Sequence, residues 1–151
     1  KDEKRFRTFG WFHDFDRPFR TGGRHGKGRP VTSAILPYPP SILSPNKRTH
    51  WAPKAKAFKK YKTDCSYLLR EHYEDFVGKT DIHITFCPPD NRRRDMDNAL
   101  ASFKAGIDAL SYITGMDDSR FTFTLAWGEP VKHGAVMVCA SGVVRQEARA
   151  A

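Results

Sequence analysis

The segment Ile82-His83-Ile84-Thr85-Phe86 alternates apolar and polar residues and is stopped by Pro88-Pro89. Alternation of period two puts Ile82, Ile84 and Phe86 on one face of a strand, and two prolines cannot continue a hydrogen-bonded ladder. A half-buried strand over 80–87 is therefore followed by a break over 88–96. Beyond it, Leu100, Phe103, Ile107 and Leu110 recur at spacings of three and four. That period predicts a helix over 97–113, with Asp97 as its N-cap and Gly115 just past its end. Strand, polar break and amphipathic helix in this order commit the chain to a sheet with helices packed on it.

The flanking segments extend the pattern. Ala34 to Tyr38 is a short apolar strand ended by Pro39-Pro40, and 41–52 is a loop with Pro45-Asn46 as its turn. Pro53 suits the first turn of a helix, and Phe58, Tyr61, Cys65, Leu68, Leu69 and His72 give an amphipathic stripe over about 53–74. Phe121, Phe123, Leu125 and Trp127 alternate through a strand over 119–127, and 135–144 is a last strand after Gly128-Glu129-Pro130. The order β-α-β-α-β-β predicts an α+β fold: a single mixed sheet with two helices. A length of 151 residues suits one domain, with its core pattern in 34–144 and a C-terminal tail at 145–151.

Residues 1–33 differ. They hold nine basic and four acidic residues, more than half of the net charge of +9, with Phe6, Phe9, Trp11, Phe12, Phe15 and Phe19 interspersed without a period. Two readings fit: a nucleic-acid-binding arm with stacking aromatics, or a basic, flexible extension outside the domain. The overall excess of 26 Lys and Arg over 17 Asp and Glu favours a polyanionic partner. No run reaches the roughly 18 apolar residues of a membrane span, and no basic stretch leads into an apolar signal-like core. Cys65, Cys87 and Cys139 lie far apart, in neither C-x-x-C nor zinc spacing, which suits reduced thiols in a cytoplasmic setting.

The densest polar run is Pro88-Pro89-Asp90-Asn91-Arg92-Arg93-Arg94-Asp95-Met96-Asp97-Asn98. In an extended segment Asp95 and Asp97 share one side while Met96 turns to the core, and paired oxygens facing one way suit a hard divalent cation such as Mg²⁺. The structural alternative makes Asp97 a helix cap and pairs the arginines with Asp95. Asp117-Asp118 follow the second helix, as ordinary turn residues or as further carboxylates. Whether they meet Asp95 depends on packing. A second basic cluster, Lys47, Arg48, Lys54, Lys56, Lys59, Lys60 and Lys62, places seven cations in sixteen positions beside Asn46, His50 and Trp51. It reads as a surface tracking a phosphate backbone, or as a solvated helix face. The chain has no G-x-x-x-x-G-K-[ST], G-x-S-x-G or H-E-x-x-H, which argues against a P-loop enzyme, an α/β-hydrolase and a zincin.

Leu36-Pro37-Tyr38-Pro39-Pro40-Ser41, then Arg92-Arg93-Arg94-Asp95-Met96-Asp97-Asn98, then Asp117-Asp118-Ser119 together resemble the RusA family of Holliday junction resolvases, of phage or prophage type. The resemblance covers roughly 34–144. It implies a Mg²⁺-dependent homodimer that binds four-way junction DNA and nicks two strands symmetrically, in a bacterial or phage-infected cell. The family's metal-binding aspartates map onto Asp95, Asp97 and Asp118. Its functional lysine would fall at Ala101, and Lys104 is the nearest lysine on that helix face. A lysine there leans toward the helix N-terminus and could return its charge by about one turn. Asn46, Arg48, Lys54, Lys56, Lys59, Lys60, Arg92, Arg93 and Arg94 are then the expected DNA contacts. The alternatives are a non-catalytic nucleic-acid-binding module, in which the aspartates only cap and turn, and a less selective branched-DNA nuclease.

Overall fold

The computed structural model describes residues 31–72 and 76–144. The expectations for most of the N-terminal extension and for the 145–151 tail lie outside the described residues. In chain order the elements are β1 (Val31–Pro37), a 3-10 turn (Ser41–Leu43), α1 (Trp51–Arg70), β2 (Phe76–Cys87), α2 (Met96–Ser102), α3 (Lys104–Thr114), a second 3-10 turn (Asp118–Arg120), β3 (Phe121–Trp127) and β4 (Ala135–Val144). The four strands form one mixed sheet in the order β1-β4-β2-β3. β4 runs antiparallel to both β1 and β2, with Val138 opposite Ala34 on one side and Ile84 on the other. β2 and β3 are parallel, and the helical crossover α2–α3 joins them.

The α+β class and the strand order along the chain are as the periodicity predicts. Alternate residues of the sheet form the buried layer: Ala34, Leu36, Ile82, Ile84, Phe86, Val136, Val138 and Ala140, with Phe121 at the start of β3. Onto it pack Tyr61, Cys65 and Leu69 from α1 and Ala105, Ile107, Ala109 and Leu110 from α3. Burial pushes the Cys65 thiol up to about 12, so it sits in the core as a neutral, inert group. None of the three cysteines is in a disulfide.

Besides β2, which starts at Phe76 rather than at 80, four boundaries differ from the sequence expectation. β1 starts at Val31, because Val31 to Ser33 pair with Ser141 to Cys139. The sheet therefore reaches into the stretch assigned to the N-terminal extension. α1 spans 51–70 rather than 53–74: His50 Nδ1 accepts the Ala52 N–H at 3.4 Å, starting the helix earlier. Pro53 falls in the first turn, where it has no helical hydrogen bond to lose. β3 starts at Phe121 because the Asp117 carboxylate accepts the Ser119 N–H and winds 118–120 into a 3-10 turn.

The fourth difference is the largest. The single expected helix over 97–113 is two helices, broken at Phe103, whose backbone leaves the helical region at φ −90° and ψ 4°. Phe103 is 1% exposed, and its ring meets Phe86 edge-on at 5.8 Å and Tyr61 at 6.3 Å. The same ring lies over Gly106, where a Cβ would come within 2.2 Å of the Phe103 ring edge. A hydrogen at position 106 is thus a packing requirement. Gly106→Ala gains up to about 1 kcal/mol of helix propensity but overpacks a buried ring at a cost of about 1–3 kcal/mol. We expect a lower urea midpoint at unchanged slope. An unchanged or raised midpoint would show that the ring yields freely.

Candidate functional site

The C-terminal ends of the parallel strands β1 and β2 carry the polar loops. Pro88 and Pro89 supply no N–H groups, and the loop is fastened instead through its carbonyls: Val131 N–H donates to Pro88 O, and Gly128 N–H to Phe86 O, both at 2.9 Å. Arg94 holds the rest. Its guanidinium pairs with the Asp90 carboxylate at 2.7 Å and donates to the carbonyls of Asp90 and Arg92 at 3.0 Å each. Asp90 also accepts the Arg92 N–H at 3.0 Å. Tyr38 stacks down onto Gly134, where a Cβ would lie 2.7 Å from the tyrosine, and burial raises its hydroxyl pKa against the opposing pull of Arg94. Arg94 is only 25% exposed, against 86% for Arg92. Of the three arginines expected to contact phosphates, Arg94 is a cross-link of its own loop, while Arg92 and Arg93 face solvent.

This loop delivers the first carboxylates. Asp95, not Asp97, occupies the N-cap position of α2, in an extended conformation, and its side chain makes no capping bond. Asp97 lies in the first turn and accepts the Asn98 N–H at 2.9 Å, while Asn98 Nδ2 reaches Asp95 Oδ2 at 3.5 Å. Both aspartates are exposed and Met96 between them packs on the core, as the alternation predicts. Asp95 makes no capping bond, and Asp97 gives one oxygen to a first-turn amide.

Asp117 and Asp118 divide their tasks. Asp117 caps the 3-10 turn, and the Ser119 hydrogen bonds hold its carboxyl below the usual range. Asp118 is half exposed and binds Lys104 Nζ at 3.2 Å. Lys104 Nζ also binds Asp108 at 3.0 Å, and the hydrogen bond it donates to Asp108, followed by that to Asp118, raises the lysine pKa. The expected lean of Lys104 back toward Asp97 is not what the structure has. The break at Phe103 interrupts the regular 100° step between positions 97 and 104, and the ammonium turns to Asp108 and Asp118 instead.

Asp95 and Asp97 follow the C-terminal end of β2, and Asp118 precedes the N-terminal end of its parallel neighbour β3. Among the described residues no group of three or more His, Cys, Asp or Glu is set to hold a metal ion.

The basic surface lies on and before α1. Asn46, Arg48, Lys56, Lys59 and Lys60 are exposed and Lys54 is half-buried. Lys60 is paired with Asp64 at 2.7 Å and Lys62 lies over the Tyr112 ring at 5.8 Å, so Lys56 and Lys59 carry the less compensated charge of the helix. Sequence reasoning missed Asp90 and Asp108. Each lies four residues from its cationic partner, a spacing legible in the sequence, with Asp90 before Arg94 and Asp108 after Lys104. No helix among the described residues is long and apolar enough to cross a membrane.

No protein-family model matches the chain. It is 33% identical over 122 residues to an uncharacterized protein of Xylella fastidiosa, covering 77% of this chain and 80% of that protein. It is 31% identical over 96 residues to the crossover junction endodeoxyribonuclease RusA of Enterobacteria phage HK97, covering 58% of this chain and 73% of the phage protein. Among solved structures, FtsZ of M. jannaschii overlays with a TM-score of 0.41 at 13% identity, and the overlay takes in 28% of the FtsZ chain.

The Asp90 tether has a pH signature. Hydrogen bonds from the Arg92 amide and then from Arg94 lower the Asp90 pKa below its ordinary 3.8. A carboxylate depressed in the folded state contributes its tether in full above 3.8 and loses it as pH falls through the lowered value. Amide exchange of residues 90–94, corrected for intrinsic rate, should therefore accelerate below pH 3.8 in the parent. In Asp90→Asn it should already be fast at neutral pH. Equal protection in both proteins at neutral pH would remove Asp90 from the loop's support.

Proposed function

From the premise that the chain belongs to the RusA family of crossover junction endodeoxyribonucleases, we propose that it binds four-way DNA junctions and cuts them by paired, symmetric nicks. The relationship to the phage HK97 enzyme carries this reading. The geometry supports it in two ways. Asp95 and Asp97 hold open carboxylates at a strand end beside the exposed Arg92 and Arg93. Lys56 and Lys59 add charge that no acidic neighbour on their helix cancels, which suits a phosphate backbone.

In this reading Arg92, Arg93, Lys56 and Lys59 bind phosphates, Arg94 keeps the loop in shape, and the exposed aspartates face the scissile strand. Mg²⁺ belongs to the proposal as the ion the family's aspartates serve. A homodimer belongs to it because a two-fold pair of protomers presents two equivalent sites, matching the two-fold symmetry of a junction. The lack, among the described residues, of a group of three or more His, Cys, Asp or Glu set to hold a metal ion favours a second reading, a DNA-binding module without chemistry, in which the aspartates cap and turn.

Variants separate the two. Asp95→Asn and Asp118→Asn should each slow junction nicking in Mg²⁺ at least a hundredfold, about 2.7 kcal/mol in the barrier, while affinity measured in chelator stays within about threefold. Full nicking by either variant would remove that residue from the site, and no nicking by the parent would favour the binding module. The basic surface has its own readout. Lys56→Gln with Lys59→Gln should reduce the slope of log affinity against log salt by about 1.8, two contacts at about 0.9 each on duplex DNA. Lys60→Gln should change it less, since Asp64 already compensates that charge. An unchanged slope in the double variant would assign this face to solvent.

A further inference from the structure

α1 is anchored only from its middle onward. Its buried residues are Tyr61, Cys65, Ser66 and Leu69, and Tyr61 is the first of them. The Tyr61 hydroxyl donates to Pro37 O at 2.6 Å, pinning that turn to the end of β1. The ten residues before it, Trp51 to Lys60, include none that is buried. They have Ala57 and Phe58 half-buried against the core and Lys56, Lys59 and Lys60 outside. At about 1.5 Å per residue this is an arm about 15 Å long.

Its tip is aromatic. Trp51 is the first helical residue and is 74% exposed, the most exposed large hydrophobic side chain among the described residues. Its indole lies 5.8 Å from the His50 ring at a tilt of 35°, and His50 is itself fixed by the bond it accepts from Ala52. The indole is thus held at the end of a rigid helix. No acidic residue stands in the first turn, so the arm combines one open aromatic face with positive charge and the positive end of a helix dipole.

An indole left in water at the head of a lysine-rich arm suits a ligand that offers flat π-faces on an anionic chain. Nucleic-acid bases on a phosphodiester backbone have that chemistry, and base stacking on an aromatic side chain tolerates any base. In a continuous duplex the faces of the bases are occupied by their neighbours; at a branch point or a strand end they can be exposed. We propose that Trp51 is a stacking platform for an unstacked DNA base, positioned by His50 and fed by the phosphate contacts of the arm. The inference rests on the DNA-junction reading for its biological ligand, but the stacking itself is testable apart from it.

The test uses the full chain, with chelator present, on three labelled DNAs: a four-way junction, a linear duplex of matched length and a short oligothymidylate. Trp51→Ala should weaken binding to the junction and to the oligothymidylate about tenfold, a typical loss for one stacked base, and to the duplex by less than about twofold. Trp51→Phe should recover most of that loss, since a smaller ring still stacks. Tyr67→Ala, at a site 67% exposed on the same helix, should change none of the three. Equal losses on all three DNAs, or no loss on oligothymidylate, would overturn the stacking assignment. Loss of binding to anionic phosphatidylserine vesicles on Trp51→Ala, with DNA affinities unchanged, would overturn it in favour of a membrane-surface role. A parent protein with no preference for junction over duplex would count against the junction reading alone. The oligothymidylate comparison still decides the role of Trp51.

Discussion

The Phe103 ring is the contact on which the rest of this structure depends. It fills the space between Phe86 at the end of β2 and Tyr61 on α1, and Gly106 is left without a side chain to admit it. Tyr61 in turn holds the Pro37 carbonyl at the end of β1. One buried ring therefore ties two strand ends, the longest helix and the crossover between β2 and β3. It also divides that crossover into α2 and α3, and the division has consequences for the polar groups. α2 presents Asp95 and Asp97 at one end, while α3 opens with Lys104 already turned toward Asp118.

The charged groups around this frame are of two kinds, and their exposure separates them. Arg94 with Asp90, and Asp117 with Ser119, spend their hydrogen bonds on local backbone and shape a loop and a turn. Arg92, Arg93, Asp95, Asp97, Lys56 and Lys59 are exposed and have fewer such ties. Exposed ion pairs contribute little to stability, so these groups are poor candidates for holding the fold and good ones for meeting a charged partner. Lys104 stands between the two kinds. Its two carboxylate partners orient it within the protomer, yet half of its side chain remains open to solvent.

The strands and helices were legible because their period was regular. Ile82, Ile84 and Phe86 read as one buried face and are one. The break at Phe103 was not legible, since Leu100, Phe103, Ile107 and Leu110 keep helical spacing straight through it. The ring's demand for space at Gly106 appears only when Phe86 and Tyr61 are in place. The helix cap was misplaced by two residues for a related reason: Asp95 and Asp97 both suit an N-cap, and the anchoring of the loop through Arg94 decides where the helix starts. The aspartates themselves were visible as a local run, but nothing in the spacing of residues 95 to 118 encodes that β2 and β3 run parallel or that Asp118 meets Lys104.

The proposed function is cutting of branched DNA by virtue of the branch. The most direct measurement labels each of the four strands of a synthetic junction in turn and maps the products on a denaturing gel after incubation with protein and Mg²⁺, beside the four corresponding linear duplexes. The expected result is cuts in one opposed pair of strands, at positions related by the junction's two-fold symmetry, and intact duplexes. Uncut junctions, or cuts spread equally over junction and duplex, would contradict it.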